Sequence, residues 1–313
     1  MTNLSIVVPV YNEEKNIRPF LERIEKVLSK IGKKYEIIFA LDPSKDLTEK
    51  IILEEINRNN NIKLITFSRR FGQPSATIAG LHYSKGEYCG VIDVDLQDPP
   101  ELILEMYNKL NSETIYDVVL ARRKRRDGEN FIKKIVSSFG YYLINKLTDI
   151  EIPRDTGDFR LMRKKVVLEL KKLNETHGFL RGLISFIGFN QTFIEYDREK
   201  RNFGHGKYNR FFGSIKIGLN GLFSFTSKPL ILLSTLGFIF SFLSFLLGAW
   251  YVIQKIIGVN LTPGLPTIVL VVTFFSGIQL LGIGLLGEYI SRIYDEVKRR
   301  PQFIIDKKIN FEE

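Results

Sequence analysis

The sequence predicts an α/β domain with a mostly parallel sheet, followed by a C-terminal hairpin of two transmembrane helices. Two observations lead to this fold class. Short apolar, β-branched runs alternate with helical patterns in the first part of the chain, which is typical of α/β domains. Further on, residues 229–254 and 256–287 contain no Asp, Glu, Lys or Arg, and each stretch exceeds the about 20 apolar residues needed to cross a bilayer.

The first part of the chain contains strand and helix candidates in alternation. Strands are predicted at Leu4–Val10, Tyr35–Leu41, Ile62–Phe67, Tyr88–Asp93 and Asp117–Ala121. Helices are predicted near Glu13–Ile31, Leu47–Asn59, Gln73–Ser84 and Pro100–Leu110. Ligands bind beyond the carboxyl ends of the strands in such sheets, so the residues that follow each strand are the first candidates for a site.

Two amphipathic segments lie between the strand-rich region and the hairpin. In Phe131–Leu147 and in Asn209–Thr226, apolar residues recur at helical spacing with lysines off the stripe. Both segments are compatible with ordinary core-facing helices or with helices that lie in the membrane interface. The second segment runs directly into the hairpin, which favours the interface for that segment.

The transmembrane helices are predicted at roughly Leu230–Ile253 and Pro266–Leu286, joined by a turn that contains Gly and Pro. A hairpin buried in a soluble core is the alternative, but soluble cores rarely need such long uncharged runs. The chain opens without the basic segment of a secretory signal. Basic residues flank the hairpin, so the positive-inside rule predicts that both termini are cytoplasmic. These residues are Lys228, Arg292, Lys298, Arg299 and Arg300.

This pattern divides the chain into four parts. Residues 1–208 form a cytosolic domain, residues 209–227 an amphipathic interface helix, residues 228–290 the two transmembrane helices, and residues 291–313 a cytosolic tail. The protein is therefore expected to be an integral membrane protein.

Composition narrows the possible functions of this 313-residue chain. The hydrophobic fraction of 44% rules out a disordered chain, and a single cysteine, Cys89, rules out a disulfide framework or a cysteine-built zinc site. The net charge of +10 fits attraction to anionic lipid headgroups. Nucleic acid is the competing partner for a basic protein, but the sequence shows no recognition motif for it.

Two carboxylates at the end of the fourth strand point to metal chemistry. Asp93 and Asp95 are two residues apart, so in a strand both side chains point to the same side. Carboxylate oxygens are preferred ligands of hard divalent cations, although a lone Asp-x-Asp often only marks a turn. Prolines that open the next helix follow directly. The place of this pair at the end of an apolar strand, together with the prolines that follow, predicts a site for a metal and a diphosphate.

Residues after the first two strands are candidates for a nucleoside pocket. Pro9, Tyr11 and Glu13 close the first strand and open the next helix, and Asp42 ends the second strand. Glu13 would also fit a purely structural role, because acidic residues favour a helix N-terminus.

Taken together, six motifs make a family recognisable. They are VPVYNEE, LDPSKD, SRRFGQPSATIAGL, DVDLQDPPE, DTGDFRLMRK and REKRNFGHGKY. In this combination and order the chain resembles family 2 glycosyltransferases, which have the Rossmann-like GT-A fold. Within the family it looks like the polyprenyl-phosphate glycosyltransferases, which include dolichyl-phosphate mannose synthases. The two C-terminal spans and the closing RRPQF resemble the bacterial undecaprenyl-phosphate glucosyltransferases.

This resemblance implies a reaction at the membrane. A nucleotide-sugar would give its sugar to polyprenyl (undecaprenyl) phosphate with inversion, and Mg²⁺ or Mn²⁺ on Asp93 and Asp95 would hold the donor diphosphate. Gln97 would lie close by, and Arg69 would approach the donor. Asp158 matches the position of the proposed catalytic base, with a turn residue in a Gly-containing loop as the structural alternative. Asp95 and Asp158 are therefore the expected catalytic residues.

The acceptor phosphate is expected to meet a basic segment. Gly204 and Gly206 would let the backbone fold so that Arg201 and Lys207 reach one anion, although a basic run is most often a solvated face. His205 lies in the same segment, and Arg122 follows the fifth strand. The family commonly has serine where this chain has Gly206, which bears on the sugar preference.

The expected donor is UDP-glucose, with N-acetylglucosamine or mannose as alternative sugars. A non-catalytic membrane scaffold that kept the fold is the competing function. A homo-oligomer is a further possibility, and the resemblance to bacterial enzymes predicts a bacterial inner or plasma membrane.

Overall fold

A computed structural model describes residues 2–124, 153, 156–173, 175, 180–199, 223–258 and 264–311. The centre of the fold is one eight-stranded sheet. Its strands are β1 (Leu4–Val10), β2 (Tyr35–Leu41), β3 (Ile62–Phe67), β4 (Tyr88–Val91), β5 (Val118–Arg123), β6 (Thr156–Arg163), β7 (Gln191–Tyr196) and β8 (Ile305–Ile309). Their order across the sheet is β7-β5-β6-β4-β1-β2-β3-β8.

The sheet is mixed but mostly parallel, as predicted. Strand β1 pairs in parallel with β2 and β4, β2 with β3, and β5 with β7. Strand β6 runs antiparallel to β4 and β5, and β8 runs antiparallel to β3. The carboxyl ends of β1, β2, β4 and β5 therefore meet at one edge of the sheet, next to the amino end of β6.

The helices are α1 (Ile17–Ile31), α2 (Thr48–Arg58), α3 (Gln73–Tyr83), α4 (Leu102–Ser112), α5 (Lys164–Leu170), α6 (Leu180–Ile187), α7 (Lys228–Ile256) and α8 (Leu265–Val297). Apolar residues of α1, α2 and α4 form one core with one face of the sheet. Residues of α3, α5 and α6 pack against the other face. Each of these helices buries its apolar side on the sheet, so the domain is a three-layer α/β/α fold.

The first three strands match the sequence-based bounds, while several neighbouring predictions need correction. Strand β4 ends at Val91, two residues before the predicted end. Helix α1 begins at Ile17, because residues 11–16 form a loop that is hydrogen-bonded to residues 44–48. Strands β6, β7 and β8 were not predicted as strands. Asp158 belongs to β6 and not to a Gly-containing loop.

The two apolar C-terminal helices fit a hairpin. The most apolar 18-residue stretch has a mean hydropathy of 2.4 within Lys228–Gln254 and of 1.6 within Val271–Val297, and both helices are long and apolar enough to span a membrane. Their apolar side chains are mostly exposed, which is not the pattern of a soluble core. Helix α8 continues beyond the predicted span to Val297, and its last turns carry charged residues such as Glu288 and Arg292. The amphipathic segment 131–147 and residues 209–222 lie outside the described residues.

The chain after the hairpin returns to the domain, where the sequence predicted only a tail. Strand β8 pairs with β3 at the edge of the sheet. Just before β8, the ring of Phe303 packs 6.2 Å from that of Phe67, measured between ring centroids. Gln302 donates a 2.7 Å hydrogen bond to the carbonyl oxygen of Glu175. Residues 301–309 are therefore part of the folded domain.

Candidate active site

The candidate site lies where β4 ends and β6 begins. Val91 of β4 pairs with Arg160 of β6, and Asp93 and Asp158 each lie two residues beyond this pair at the same edge of the sheet. The charge of Asp158 contributes to raising the pKa of Asp93, so the two carboxylates lie near each other. The structure thus brings together two carboxylates that are far apart in the sequence.

Asp93 is half-buried in an acidic environment. The side-chain amide of Gln73, at the start of α3, donates a 2.8 Å hydrogen bond to Oδ1 of Asp93. Burial raises the pKa of Asp93 well above its ordinary value, and the neighbouring charges of Asp95, Asp98 and Asp158 raise it further. In such surroundings, a bound cation would strongly stabilise the ionised form of the carboxylate.

Asp95 lies in a tight turn behind Asp93. Its side chain is 9% exposed, and its Oδ1 accepts a 3.2 Å hydrogen bond from the backbone N–H of Gln97. Leu96, between them, adopts a left-handed conformation with φ of 59°, which reverses the chain. The backbone of Gln97 thus contacts Asp95 and shapes the turn, and the predicted role of Gln97 at the donor stays a prediction.

Asp93 and Asp95 have the donor chemistry of a site for a hard divalent cation. Carboxylate oxygens are the ligands that Mg²⁺ and Mn²⁺ prefer, and the crowded negative charge around Asp93 would be relieved by a cation. Among the described residues, no group of three or more His, Cys, Asp or Glu side chains is arranged to hold a metal. Two carboxylates suit a metal that takes its other ligands from water and substrate phosphates.

Asp98 follows the same turn, and its contacts indicate a structural role. It is 2% exposed and accepts a short hydrogen bond from the hydroxyl group of Tyr196. Nε of Arg198 donates to Asp98 at 3.3 Å, and Nη2 of Arg123 lies 3.7 Å away. Burial and the Asp98 carboxylate together raise the pKa of Tyr196 above its ordinary value. This cluster joins the ends of β5 and β7 to the carboxylate turn.

Asp158 is held between two guanidinium groups. Nε of Arg181, on α6, donates a 3.0 Å hydrogen bond to Oδ1 of Asp158, and Nη2 of Arg160 lies 3.6 Å from the same atom. Burial alone would raise the pKa of Asp158, but the positive charges of Arg181 and Arg160 outweigh it and lower that pKa. An ionised carboxylate with a lowered pKa is a weak proton acceptor. The position of Asp158 between two guanidinium groups therefore suits the orientation of a cationic side chain better than the acceptance of a proton.

Of the two arginines that flank Asp158, Arg160 is the buried one. Its side chain is 1% exposed, and it donates to the backbone carbonyl oxygens of Asp158 at 3.0 Å and Gly157 at 2.8 Å. Burial lowers its pKa to about 10, so the guanidinium still carries its charge at neutral pH. Arg160 therefore fixes the backbone beneath Asp158 and does not reach solvent.

Asp42 holds the loop before α3. Its carboxylate is 2% exposed, and its two oxygens accept 2.9 Å hydrogen bonds from the backbone N–H groups of Phe71 and Gly72. This contact sets the start of α3 and therefore the position of Gln73, which donates to Asp93. The predicted role of Asp42 at a nucleoside stays a prediction; its observed contacts are with the loop.

The other candidate donor residues surround the ends of β1 and β2. Pro9 lies inside β1, opposite Ala40 of β2. The guanidinium group of Arg70 stacks 4.0 Å from the ring centroid of Tyr11. The backbone N–H of Glu13 donates to Oγ1 of Thr48 at 2.9 Å.

Arg69, which was predicted to contact the donor, has different neighbours from Arg70. Its guanidinium lies 4.1 Å from the ring centroid of Phe71, and its Nη1 donates a 3.3 Å hydrogen bond to the carbonyl oxygen of Arg70. Arg70, which the sequence reading did not select, is the arginine that contacts Tyr11.

Of the predicted acceptor residues, only Arg122 is described. Its guanidinium packs 3.3 Å from the ring centroid of Phe193, and its buried Nε has no hydrogen-bond partner among the described residues. Arg201, His205 and Lys207 lie outside the described residues. The sequence analysis did not select Gln73, Arg160 or Arg181. The contacts of Gln73 and Arg181 with aspartates depend on how α3 and α6 pack, whereas Arg160 lies two residues after Asp158 on β6.

Comparison with known proteins gives a consistent result. The family model described as glycosyl transferase family 2 matches residues 5–171. An uncharacterised glycosyltransferase of Bacillus subtilis is 44% identical over 98% of this chain and 94% of its own. The SfII prophage-derived bactoprenol glucosyl transferase of Shigella flexneri is 38% identical over 97% of both chains.

A solved structure has a similar fold. It is glucosyl-3-phosphoglycerate synthase from Mycobacterium tuberculosis, determined with Mn²⁺, UDP-glucose and glycerol 3-phosphate. The TM-score is 0.50 at 16% identity, over 71% of this chain and 79% of that one. At this identity the likeness concerns the fold.

Proposed function

Because the chain belongs to glycosyl transferase family 2 and is a glycosyltransferase, we propose that it transfers glucose from UDP-glucose to a polyprenyl phosphate at the membrane surface. The pairing of two features carries this proposal. A carboxylate site that suits a metal and a diphosphate lies at the edge of the sheet, and the same chain carries two membrane-length apolar helices. Relatives similar over nearly the whole chain are named bactoprenol glucosyl transferases.

The position of the domain suits a lipid acceptor. Moving a long isoprenoid chain out of the bilayer would cost about 0.8 kcal/mol for each CH₂ exposed to water. Only the phosphate of such a lipid reaches the aqueous surface. A soluble domain joined directly to a membrane hairpin is therefore the form expected of an enzyme for this substrate.

The reaction needs one bond to form and one to break. A phosphate oxygen of the acceptor attacks the anomeric carbon of the sugar, the bond from that carbon to the donor diphosphate breaks, and the configuration inverts. A phosphate monoester has a second pKa near ~6, so the acceptor is already largely a dianion at neutral pH. A strong general base is unnecessary, which fits an Asp158 whose pKa is lowered by Arg181 and Arg160.

The residues of this chain supply alignment and charge. Asp93 and Asp95 would hold Mg²⁺ or Mn²⁺, which supplies neutralisation of the negative charge on the leaving diphosphate. Gln73 orients Asp93, and Asp42 fixes the loop that carries Gln73. Tyr11, Glu13 and Arg70 lie at the ends of β1 and β3, where a nucleoside would meet the sheet edge.

The test is a transfer assay on the full chain in nanodiscs with undecaprenyl phosphate and Mn²⁺ or Mg²⁺. A panel of radiolabelled UDP- and GDP-sugars is offered, and the label that enters the organic phase is counted. We expect label from UDP-glucose, and its loss in Asp95→Asn. The surface variant Asp306→Asn is the matched control, because that side chain is 53% exposed and lies on β8, four strands away from β4 in the sheet.

The outcomes separate the alternatives. Label from N-acetylglucosamine or mannose donors in place of glucose would change the sugar and keep the reaction. Transfer that is equal in Asp95→Asn and the wild type would contradict the proposed metal site. No label from any donor, together with no donor binding by calorimetry, would favour a non-catalytic scaffold.

A further inference from the structure

Arg181 lies between the carboxylate site and the membrane hairpin. On one side, its Nε donates to Asp158, which lies near the start of β6 and close enough to Asp93 for its charge to act on it. On the other side, its neighbour Gly182 is covered by the ring of Phe225: a Cβ added to Gly182 would lie 2.2 Å from that ring. Phe225 precedes by three residues the start of the first membrane helix at Lys228.

The segment 223–226 ties this side of the domain to both membrane helices. The hydroxyl group of Tyr289, on α8, donates to the carbonyl oxygen of Thr226 at 2.8 Å. Nη1 of Arg292 donates to Oγ of Ser224 at 3.2 Å. Helix α6, which carries Arg181, therefore packs against the part of the chain where the domain meets the membrane.

Only one of the two arginines at Asp158 can meet a ligand. Arg160 is fully buried, and its hydrogen bonds go to backbone carbonyl oxygens beneath the aspartate. The side chain of Arg181 is 22% exposed. A guanidinium presents a rigid, planar set of N–H donors that matches the oxygens of a phosphate, and a carboxylate on one edge fixes its orientation.

From this placement we propose that Arg181 binds the phosphate group of the lipid acceptor, and that Asp158 positions Arg181 for this role. The inference rests on the proposed function, because it assigns the acceptor side of the same site. The lipid phosphate must arrive from the membrane side of the domain, which is where α6 contacts residues 223–226. The donor diphosphate has the same chemistry, so the test has to distinguish the two sources.

The first experiment measures steady-state kinetics of the full chain in nanodiscs. One arm varies undecaprenyl phosphate at saturating UDP-glucose and Mn²⁺, and the other varies UDP-glucose at saturating lipid. For Arg181→Gln we expect the KM for the lipid to rise about tenfold or more, as for other lost charge-assisted hydrogen bonds. We expect the KM for UDP-glucose to stay within about twofold, and Arg181→Lys to give a smaller rise because lysine keeps the charge without the planar fork.

Arg163→Gln is the matched control. The side chain of Arg163 is 23% exposed, close to the 22% of Arg181, but it lies at the far end of β6. Its guanidinium donates to the carbonyl oxygens of Tyr116 and Leu110. Its loss removes a structural arginine without touching the site, so a general loss of stability would affect both variants alike. A selective rise in lipid KM is expected only at Arg181.

The positioning role of Asp158 has its own readout. If Asp158 acts through Arg181, Asp158→Asn raises the lipid KM in the wild-type background and adds little in the Arg181→Gln background, so the two effects are non-additive. If Asp158 were a general base, its replacement would lower kcat equally in both backgrounds. That second result would overturn the positioning role.

A binding measurement separates this inference from the proposed function. Farnesyl phosphate, a short prenyl phosphate, is titrated calorimetrically into the wild type and Arg181→Lys in detergent micelles without a donor. Weaker binding in the variant supports the inference even if no sugar transfer is found. Equal binding, or a rise in the UDP-glucose KM with an unchanged lipid KM, would overturn the assignment to the acceptor. If Arg181→Gln does not fold, the comparison rests on Arg181→Lys and the same criteria apply.

Discussion

Replacing Asp42 with asparagine should destabilise the domain and thereby show that this residue organises the edge of the site. Asp42 is almost fully buried, and each of its two carboxylate oxygens accepts one backbone N–H, from Phe71 and Gly72, at 2.9 Å. Asparagine keeps one acceptor oxygen and places an amide N–H₂ group against the other backbone donor. One charge-assisted hydrogen bond is lost, and the second becomes a neutral one.

The size of the effect follows from these contacts. Losing a hydrogen bond to a charged group costs about 1.5–3 kcal/mol, and weakening the second adds about 1 kcal/mol. For a domain of this size, each kcal/mol lowers the melting temperature by about 2–4 °C. The expected decrease in Tm for Asp42→Asn is therefore roughly 5–15 °C.

The assay is thermal unfolding of the full chain in detergent micelles, followed by near-ultraviolet circular dichroism. Asp306→Asn is the control: Asp306 is exposed, and its nearest basic atom, Nζ of Lys307, is 4.0 Å away, so a change of no more than about 2 °C is expected. A Tm for Asp42→Asn within the same margin would refute the reasoning, because the loop at Phe71 would then be held by other contacts.

Three further outcomes are expected. Chelation with EDTA should abolish sugar transfer, and Mn²⁺ or Mg²⁺ should restore it in the wild type but not in Asp95→Asn; transfer that survives chelation would contradict a metal on these carboxylates. Arg181 and Arg160 hold the pKa of Asp158 below 3.8, so its stabilising effect is present above that value and is lost as the pH falls through the lowered pKa. The Asp158→Asn variant should accordingly have a lower Tm than the wild type at neutral pH, and this difference in Tm should narrow in acid. A difference in Tm that does not depend on pH would argue against the ion pair. Truncation after Arg300 removes β8 and Phe303, so the Tm should fall and aggregation increase as the edge of β3 becomes unpaired; an unchanged Tm would mean that β8 adds no stability.

The sequence predicted the strands that are buried on both faces. The bounds of β1, β2 and β3 match the prediction, because a parallel strand covered by helices on both sides reads as a continuous apolar run. Strand β6 lacks this signal, since it carries Asp158 and the fully buried Arg160 within its eight residues. Strand β8 reads IDKKI and lies exposed at the edge of the sheet, so its pattern resembles a solvated tail.

The candidate site, like the fold, was predictable only in part. Asp93 and Asp95 could be selected because the chemistry of the pair and its position after a strand are both visible in the sequence. The partners of these groups could not, because Gln73 and Arg181 reach the aspartates only through the packing of separate elements. Arg160 lies two residues after Asp158 on β6, but its full burial is not visible in the sequence. A single arginine at the start of a short helix carries no local signal, and its role follows from the hydrogen bond to Asp158.

The position of β8 also constrains how the chain can cross a membrane. Strand β8 follows both apolar helices in the chain, yet it hydrogen-bonds to β3 of the N-terminal domain. Strands pair at about 5 Å, whereas the apolar core of a bilayer is about 30 Å thick, so β3 and β8 must lie on the same side. If the chain between Lys228 and Ile305 crosses a bilayer, it therefore crosses an even number of times, and two crossings by α7 and α8 satisfy this condition where one would not.

This constraint is independent of the flanking charges that predicted the orientation. It also means that the domain is attached to the hairpin at two points, before α7 and after α8. Phe303, which follows the second attachment, packs against Phe67 and His82 on the domain. A domain held at two points has less freedom to rotate about a single linker. Under the proposed function, this double attachment would keep the carboxylate site at one height above the bilayer, as a reaction between a soluble donor and the phosphate of a membrane lipid requires.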